Sequence, residues 1–211
     1  MHHNTDVPAP TVAPVEIDDS HLIRPVLHHV TFKTTRLQEM IDWYRQVVGV
    51  EPNFQFEGGA WTSNDAANHR LAFVTMPGLK DDDEKVARTG MHHTAFEYGS
   101  LDELLGSYLR LRAQGIEPTG CLDHGLTVSF YYVDPDGNSV ELQADSYGDW
   151  AQSTEFMRSD ERFAADPIGQ PVDPQDLVEA RRSGLSSQEV HERAYRGDYP
   201  PKGPFDLRLP Q

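Results

Sequence analysis

The sequence predicts an α+β domain made of paired βαβββ modules, and three observations predict it. An alternating, β-rich run followed by a helical run occurs twice. Each occurrence opens on an apolar residue, two histidines and a Val or Thr: Leu27-His28-His29-Val30 and Met91-His92-His93-Thr94. Each then continues into three short β-rich segments broken at turn residues.

In the first module, residues 25–77, the run 26–34 reads as a strand. Leu37, Ile41, Tyr44 and Val48 fall at helical spacing, and Gly49 closes that helix. Strands are expected at 53–57, 60–63 and 70–76, separated by Gly58-Gly59 and Asn64-Asp65. In the second module, residues 90–145, the run 91–98 is the strand. Leu101, Leu104, Leu105, Tyr108 and Leu111 make an amphipathic helix closed by Gly115. Strands follow at 119–122, 127–133 and 139–144, with Asp136-Gly137 as a hairpin turn between the last two. The two modules form one domain over 25–150. Residues 1–24 read as a flexible leader in which His2 and His3 are incidental. Residues 151–211 read as a polar, Pro-rich extension that wraps the domain or a partner subunit. It carries helices at 174–184 and 186–195, with Asp173 and Ser186 as N-caps. His191, on the second of these, reads as a surface residue. The acidic run Asp81-Asp82-Asp83-Glu84 lacks EF-hand spacing and reads as a solvated loop between the modules.

Composition excludes several functions. The 211 residues carry 34 Asp and Glu against 18 Lys and Arg, a formal net charge of −16. Phosphate backbones and anionic membrane surfaces repel such a chain, so neither nucleic acid nor a membrane is an expected partner. No apolar run approaches the roughly 20 residues needed to span a bilayer, and the opening residues lack the pattern of a secretory signal. One cysteine, Cys121, has no internal disulfide partner, which fits a reducing compartment. A cytoplasmic protein is the expectation. Ten histidines beside that single thiol point any metal chemistry towards N and O ligands.

Successive strand side chains point to opposite faces, so one histidine of each doublet faces a shared interior and the other lies on the opposite face. A register slip of one residue exchanges them. The last strand of the second module adds a carboxylate, Glu141, in Asn138-Ser139-Val140-Glu141-Leu142. Alone it reads as a solvent-facing strand residue. With two inward imidazoles it makes two histidines and one carboxylate, the donor set of open non-haem Fe(II) sites. Closed structural zinc prefers four protein ligands, often thiolates. Phe54, Phe56 and Trp61 could line an aromatic pocket or pack a core. Tyr132, pointing away from Tyr131, is the better core or interface candidate.

The duplicated βαβββ pattern, the His-His-Val and His-His-Thr openings and the segment Tyr132-Val133-Asp134-Pro135-Asp136-Gly137-Asn138-Ser139-Val140-Glu141-Leu142 resemble the vicinal oxygen chelate superfamily. More narrowly, residues 25–150 resemble the type I extradiol, catechol-cleaving dioxygenases, in a single-domain form. The resemblance implies metal ligands at His29, His93 and Glu141. It places a second-sphere histidine at His69, in Asn68-His69-Arg70-Leu71-Ala72-Phe73, another at His124, in Asp123-His124-Gly125, and a tyrosine at Tyr131. The last strand of the first module contains no acid, so a fourth protein ligand there is not expected.

The function so implied is a non-haem Fe(II)-dependent dioxygenase, with Mn(II) as the alternative metal and O₂ as co-substrate. It cleaves a small aromatic diol next to its hydroxyls. In that reading His69 is the acid–base, since an imidazole titrates near the working pH. Tyr131 and His124 donate hydrogen bonds to substrate oxygen. Open sheet edges need cover, and a homo-oligomer, dimer or higher, provides it. Two rivals use the same fold: a metal-dependent lyase, isomerase or epimerase with a fourth ligand, and a non-enzymatic binding protein that sequesters a small molecule.

Overall fold

A computed structural model describes residues 15–210, so His2, His3 and the first part of the leader lie outside the described residues. Residues 15–29 carry no helix or strand and are exposed. The first module runs β1 (Val30–Lys33), α1 (Leu37–Val48), β2 (Glu51–Phe56), β3 (Gly59–Ser63), β4 (Leu71–Val74). The second runs β5 (His93–Tyr98), α2 (Leu101–Arg112), β6 (Gly120–Asp123), β7 (Thr127–Val133), β8 (Ser139–Asp145). The paired βαβββ prediction is therefore met. Each module makes its own sheet, ordered β1-β4-β3-β2 and β5-β8-β7-β6, with the first and last strands of each module pairing in parallel.

The helices form where the apolar stripe and the caps agree. Met40, Ile41, Tyr44 and Val47 bury one face of α1, and Gly49 ends it in the left-handed region at φ 72°. The Ser100 hydroxyl accepts the Glu103 backbone N–H to start α2. Its last turn closes at the expected glycine: Gly115 is left-handed at φ 77°, its N–H returns to the Arg112 carbonyl and that of Ile116 to the Leu111 carbonyl, each at 3.0 Å.

Alternation along each strand sends one set of side chains to the helices. Phe32, Leu71, Phe73 and Ala60 pack under α1. Val128, Phe130, Tyr132 and Leu142 pack under α2. Val140 of the second module joins the first module's cluster. Between the modules, Tyr44 donates to Asp134 Oδ2 at 3.1 Å, Arg36 pairs with Asp136 at 2.8 Å, and Lys85 donates to the Asp136 carbonyl at 2.8 Å. The acidic loop takes part as well, since Asp81 accepts from Thr35 and Arg36.

Strand β1 is shorter than the alternating run suggested, because its one neighbour, β4, offers only four residues to pair with. His28 and His29 therefore precede the ladder, where alternation is not enforced. Their Nδ1 atoms stand 3.0 Å apart, so the two rings sit together and not on opposite faces. His92 likewise precedes β5, and its Nδ1 lies 2.8 Å from that of His93.

The C-terminal residues hold more structure than their sequence suggested. Helices α3 (Trp150–Ser159) and α4 (Glu161–Ala165), capped by Asp149 and Asp160, and the two-residue β9 (Gln170–Pro171) were not foreseen. Strand β9 pairs antiparallel with β6 and extends the second sheet. Helices α5 (Pro174–Arg182) and α6 (Ser187–Tyr195) fall where expected, capped by Asp173 and Ser186. Leu177, Val178, Val190 and Ala194 bury against the second module's core. Among the described residues no helix is long and apolar enough to cross a membrane.

Candidate active site

The sheet faces turned away from the helices carry the site. The two modules can be superposed by register. Val30 pairs with Leu71 in the first, and Thr94 pairs with Val140 in the second. His29 and His93 are thus equivalent positions, and the equivalent of Glu141 is Ala72. The next strand over places Trp61 opposite Ala72 and Tyr131 opposite Glu141. Equivalent rows therefore read Thr31-Ala72-Trp61-Phe54 and Ala95-Glu141-Tyr131-Gly120. One row is apolar and aromatic, the other carries titratable groups.

On the second row, Glu141 is 5% exposed. Its Oε2 lies 2.9 Å from His93 Nε2, and its Oε1 accepts the Tyr131 hydroxyl at 3.0 Å. Burial alone would raise this carboxyl. Hydrogen bonds from His93, Ser129 and Tyr131 outweigh it and hold Glu141 below the ordinary glutamate range. Burial, then the Glu141 charge, pushes the Tyr131 hydroxyl far above its ordinary value, so it stays protonated and remains a donor. His124, in the loop after β6, lies behind it, with Nε2 2.9 Å from the Tyr131 oxygen and Nδ1 2.6 Å from the Ile168 carbonyl. The carbonyl only accepts, so Nδ1 carries a hydrogen and Nε2 faces Tyr131.

His29 stands with His28 and His69, and one ring nitrogen from each lies within 4.8 Å of the other two. This three-histidine group does not include His93 or Glu141, which form their own pair. The His29 and His69 rings are 4.3 Å apart between centroids. His69 Nδ1 meets the Asn68 side-chain oxygen at 2.6 Å, which fixes its hydrogen on Nδ1 and leaves Nε2 with the lone pair. Desolvation, then the neighbouring His29 and His28, lowers the His69 pKa and favours the neutral, proton-accepting ring.

The donor set suits a metal. His93 and Glu141 offer one nitrogen and one carboxylate oxygen 2.9 Å apart, the spacing of adjacent ligands on one ion with bonds of about 2.1 Å, while His29 stands apart from them beside His28 and His69. In the first module the register equivalent of Glu141 is Ala72, which offers no ligand atom.

The aromatic row is half exposed. Trp61 stacks on Phe56 at 5.0 Å and meets Phe54 at 5.6 Å, while Phe54 is 60% exposed and Phe56 43%. These rings are not core. Tyr132, 1% exposed, is.

One buried pair departs from the expectation. His191 is not a surface residue: its side chain is 12% exposed, and Nδ1 donates to Asp123 Oδ2 at 2.8 Å. The helical spacing of Val190 and Ala194 was the available signal, because His191 borders the stripe they bury.

The Glu141 interactions set a pH dependence. A carboxyl held low in the folded state contributes stability that is complete above the ordinary value of 4.5 and is lost as pH falls through the lowered one. Acid titration of metal-free protein, followed by urea unfolding, should show this loss, and Glu141→Gln should flatten it. Equal slopes in the two proteins would contradict the assignment.

Known proteins resemble this chain over most of its length. The family model of the Glyoxalase/Bleomycin resistance protein/Dioxygenase superfamily matches residues 26–142. Biphenyl-2,3-diol 1,2-dioxygenase 3 of Rhodococcus globerulus is 36% identical over 82% of this chain and 90% of its own. Biphenyl-2,3-diol 1,2-dioxygenase 2 of the same organism is 34% identical over 81% and 89%. Among solved structures, a lactoylglutathione lyase from Agrobacterium tumefaciens is 20% identical, covers 57% of this chain and 94% of its own, and has a TM-score of 0.47.

Proposed function

The chain belongs to the Glyoxalase/Bleomycin resistance protein/Dioxygenase superfamily, and on that premise we propose that it is a non-haem Fe(II) extradiol dioxygenase. Its substrate is a catechol-type diol bearing a second aromatic group, as in biphenyl-2,3-diol, and O₂ opens the ring beside the diol. The observation that carries this reading is the buried Glu141 carboxylate, joined to His93 on one oxygen and to Tyr131 on the other. His29, His93 and Glu141 would hold the iron, which when bound lowers the pKa of the diol and brings diol and O₂ together. Mn(II), with the same taste for N and O ligands, is the alternative metal.

The proton balance assigns the remaining residues. Ring opening adds both atoms of O₂ to the diol and changes its hydrogen count by none, so a proton taken from a hydroxyl must be given back. His69 does both. Its neutral Nε2 accepts the hydroxyl proton and returns it as the ring C–C bond breaks. Tyr131, always protonated, donates to developing negative charge on oxygen, and His124 stands behind it with Nε2 2.9 Å from its oxygen. Trp61, Phe54 and Phe56 offer ring faces to the aromatic parts of the diol.

The test is anaerobic purification, addition of Fe(II) and biphenyl-2,3-diol or simple catechol, and admission of O₂. A yellow ring-opened product with one O₂ consumed per diol is expected. Turnover without added metal, or none with it, would overturn the reading.

A further inference from the structure

We infer that His191 and Ile168, both in the C-terminal extension, are positioning residues that set the orientation of the His124 imidazole. Three independent contacts converge on the 123–125 loop. First, the Asp123 carboxylate is fully buried. Its Oδ1 accepts the Gly125 N–H at 2.8 Å, closing the turn around His124, and its Oδ2 accepts from His191 Nδ1 at 2.8 Å. A buried carboxylate with no such donor is costly, so His191 is what allows Asp123 to hold that turn inside the protein. Second, Ile168 gives its carbonyl to His124 Nδ1. That bond selects the tautomer whose Nε2 faces Tyr131. Third, the backbone approach is tight. Gly169 has φ 83°, and a Cβ there would lie 2.2 Å from the Asp123 carbonyl oxygen. Gly125 would likewise meet Phe156 and Tyr195 at 2.8 Å. Strand β9 secures this approach by pairing Gln170 with Asp123.

His191 stands between Tyr147 and Tyr195, the latter ring parallel to it within 14° at 6.1 Å. Its one side-chain hydrogen bond is to Asp123, and it acts through that carboxylate. The extension is thus part of the site's second layer: remove its grip and His124 can rotate or change tautomer while the rest of the site stays in place.

The test has a structural arm and a kinetic one, and only the kinetic arm rests on the ring-cleavage reading. In metal-free protein with ¹⁵N-labelled histidine, the His124 imidazole is expected to show a single Nδ1–H tautomer. In His191→Ala and Gly169→Ala it is expected to average between tautomers, and in His191→Asn, whose amide N–H replaces Nδ1–H, to return to one. In the iron-loaded enzyme, His191→Ala should lower kcat about tenfold, the usual scale for loss of an outer-layer partner, with KM and iron content little changed and His191→Asn restoring most of the rate. A role in stability alone would lower Tm and leave the tautomer, and kcat per folded molecule, unmoved; that result would overturn the proposal. A wild-type protein that opens no diol would fail the functional reading, and the imidazole signals would still decide this one.

Discussion

Replacing Glu141 by alanine is expected to lower ring cleavage by about a thousandfold or more, the several kcal/mol that a properly held metal ion contributes. The reason lies in the register. Glu141 is the sole carboxylate in its row, and its first-module equivalent is Ala72, so no neighbouring acid in that row can take its place. The substitution also strands two donors. His93 loses the acceptor at 2.9 Å and Tyr131 the one at 3.0 Å, which compounds the loss of binding with local disorder of the site. Iron titration of the purified variant should show weak binding or none. A Glu141→Ala protein that keeps both its iron and its rate would remove Glu141 from the site.

The second large effect is expected at His69. Loss of a general acid–base costs about 10²–10⁴ in rate, and His69→Ala should fall in that range in kcat. Iron content is expected to hold, since the proposed ligands His29, His93 and Glu141 remain. KM for the diol should move far less than kcat. The pH profile distinguishes this from a packing defect. The lowered pKa of His69 places the acidic limb of kcat below the ordinary imidazole value, because activity requires the neutral ring and is lost as pH falls through that pKa. The variant should lose this limb. A variant whose rate falls but whose acidic limb is unchanged would move the acid–base role to another residue.

Much of the fold was legible from local pattern. Leu37, Ile41, Tyr44 and Val48 gave α1 by spacing, and Thr127–Val133 and Ser139–Asp145 announced β7 and β8 by alternation around the Asp136-Gly137 turn. Helices α3 and α4 escaped because they bury little: Trp150 and Met157 are exposed, and Ser153 is the one buried residue of α3. Without an apolar stripe there was no period to read. Strand β9 escaped for another reason. Two residues carry no pattern, and only the β6 edge makes them a strand. The site divided in the same way. His29, His69, His93, His124, Tyr131 and Glu141 were each visible as residues. That Tyr131 faces Glu141, that His124 stands behind Tyr131, and that His191 holds Asp123 follow from pairings between distant segments.

The sequence by itself determined the modules, their duplication and the family, because periodicity, turn chemistry and short motifs are local properties that survive without coordinates. Tertiary structure alone decided which side chains meet. The histidine doublets show the boundary. Alternation predicted opposite faces for His28 and His29, and it holds only inside a paired ladder. The β1 ladder begins one residue later, at Val30, because its one partner strand begins at Leu71, and so the two rings lie together beside His69.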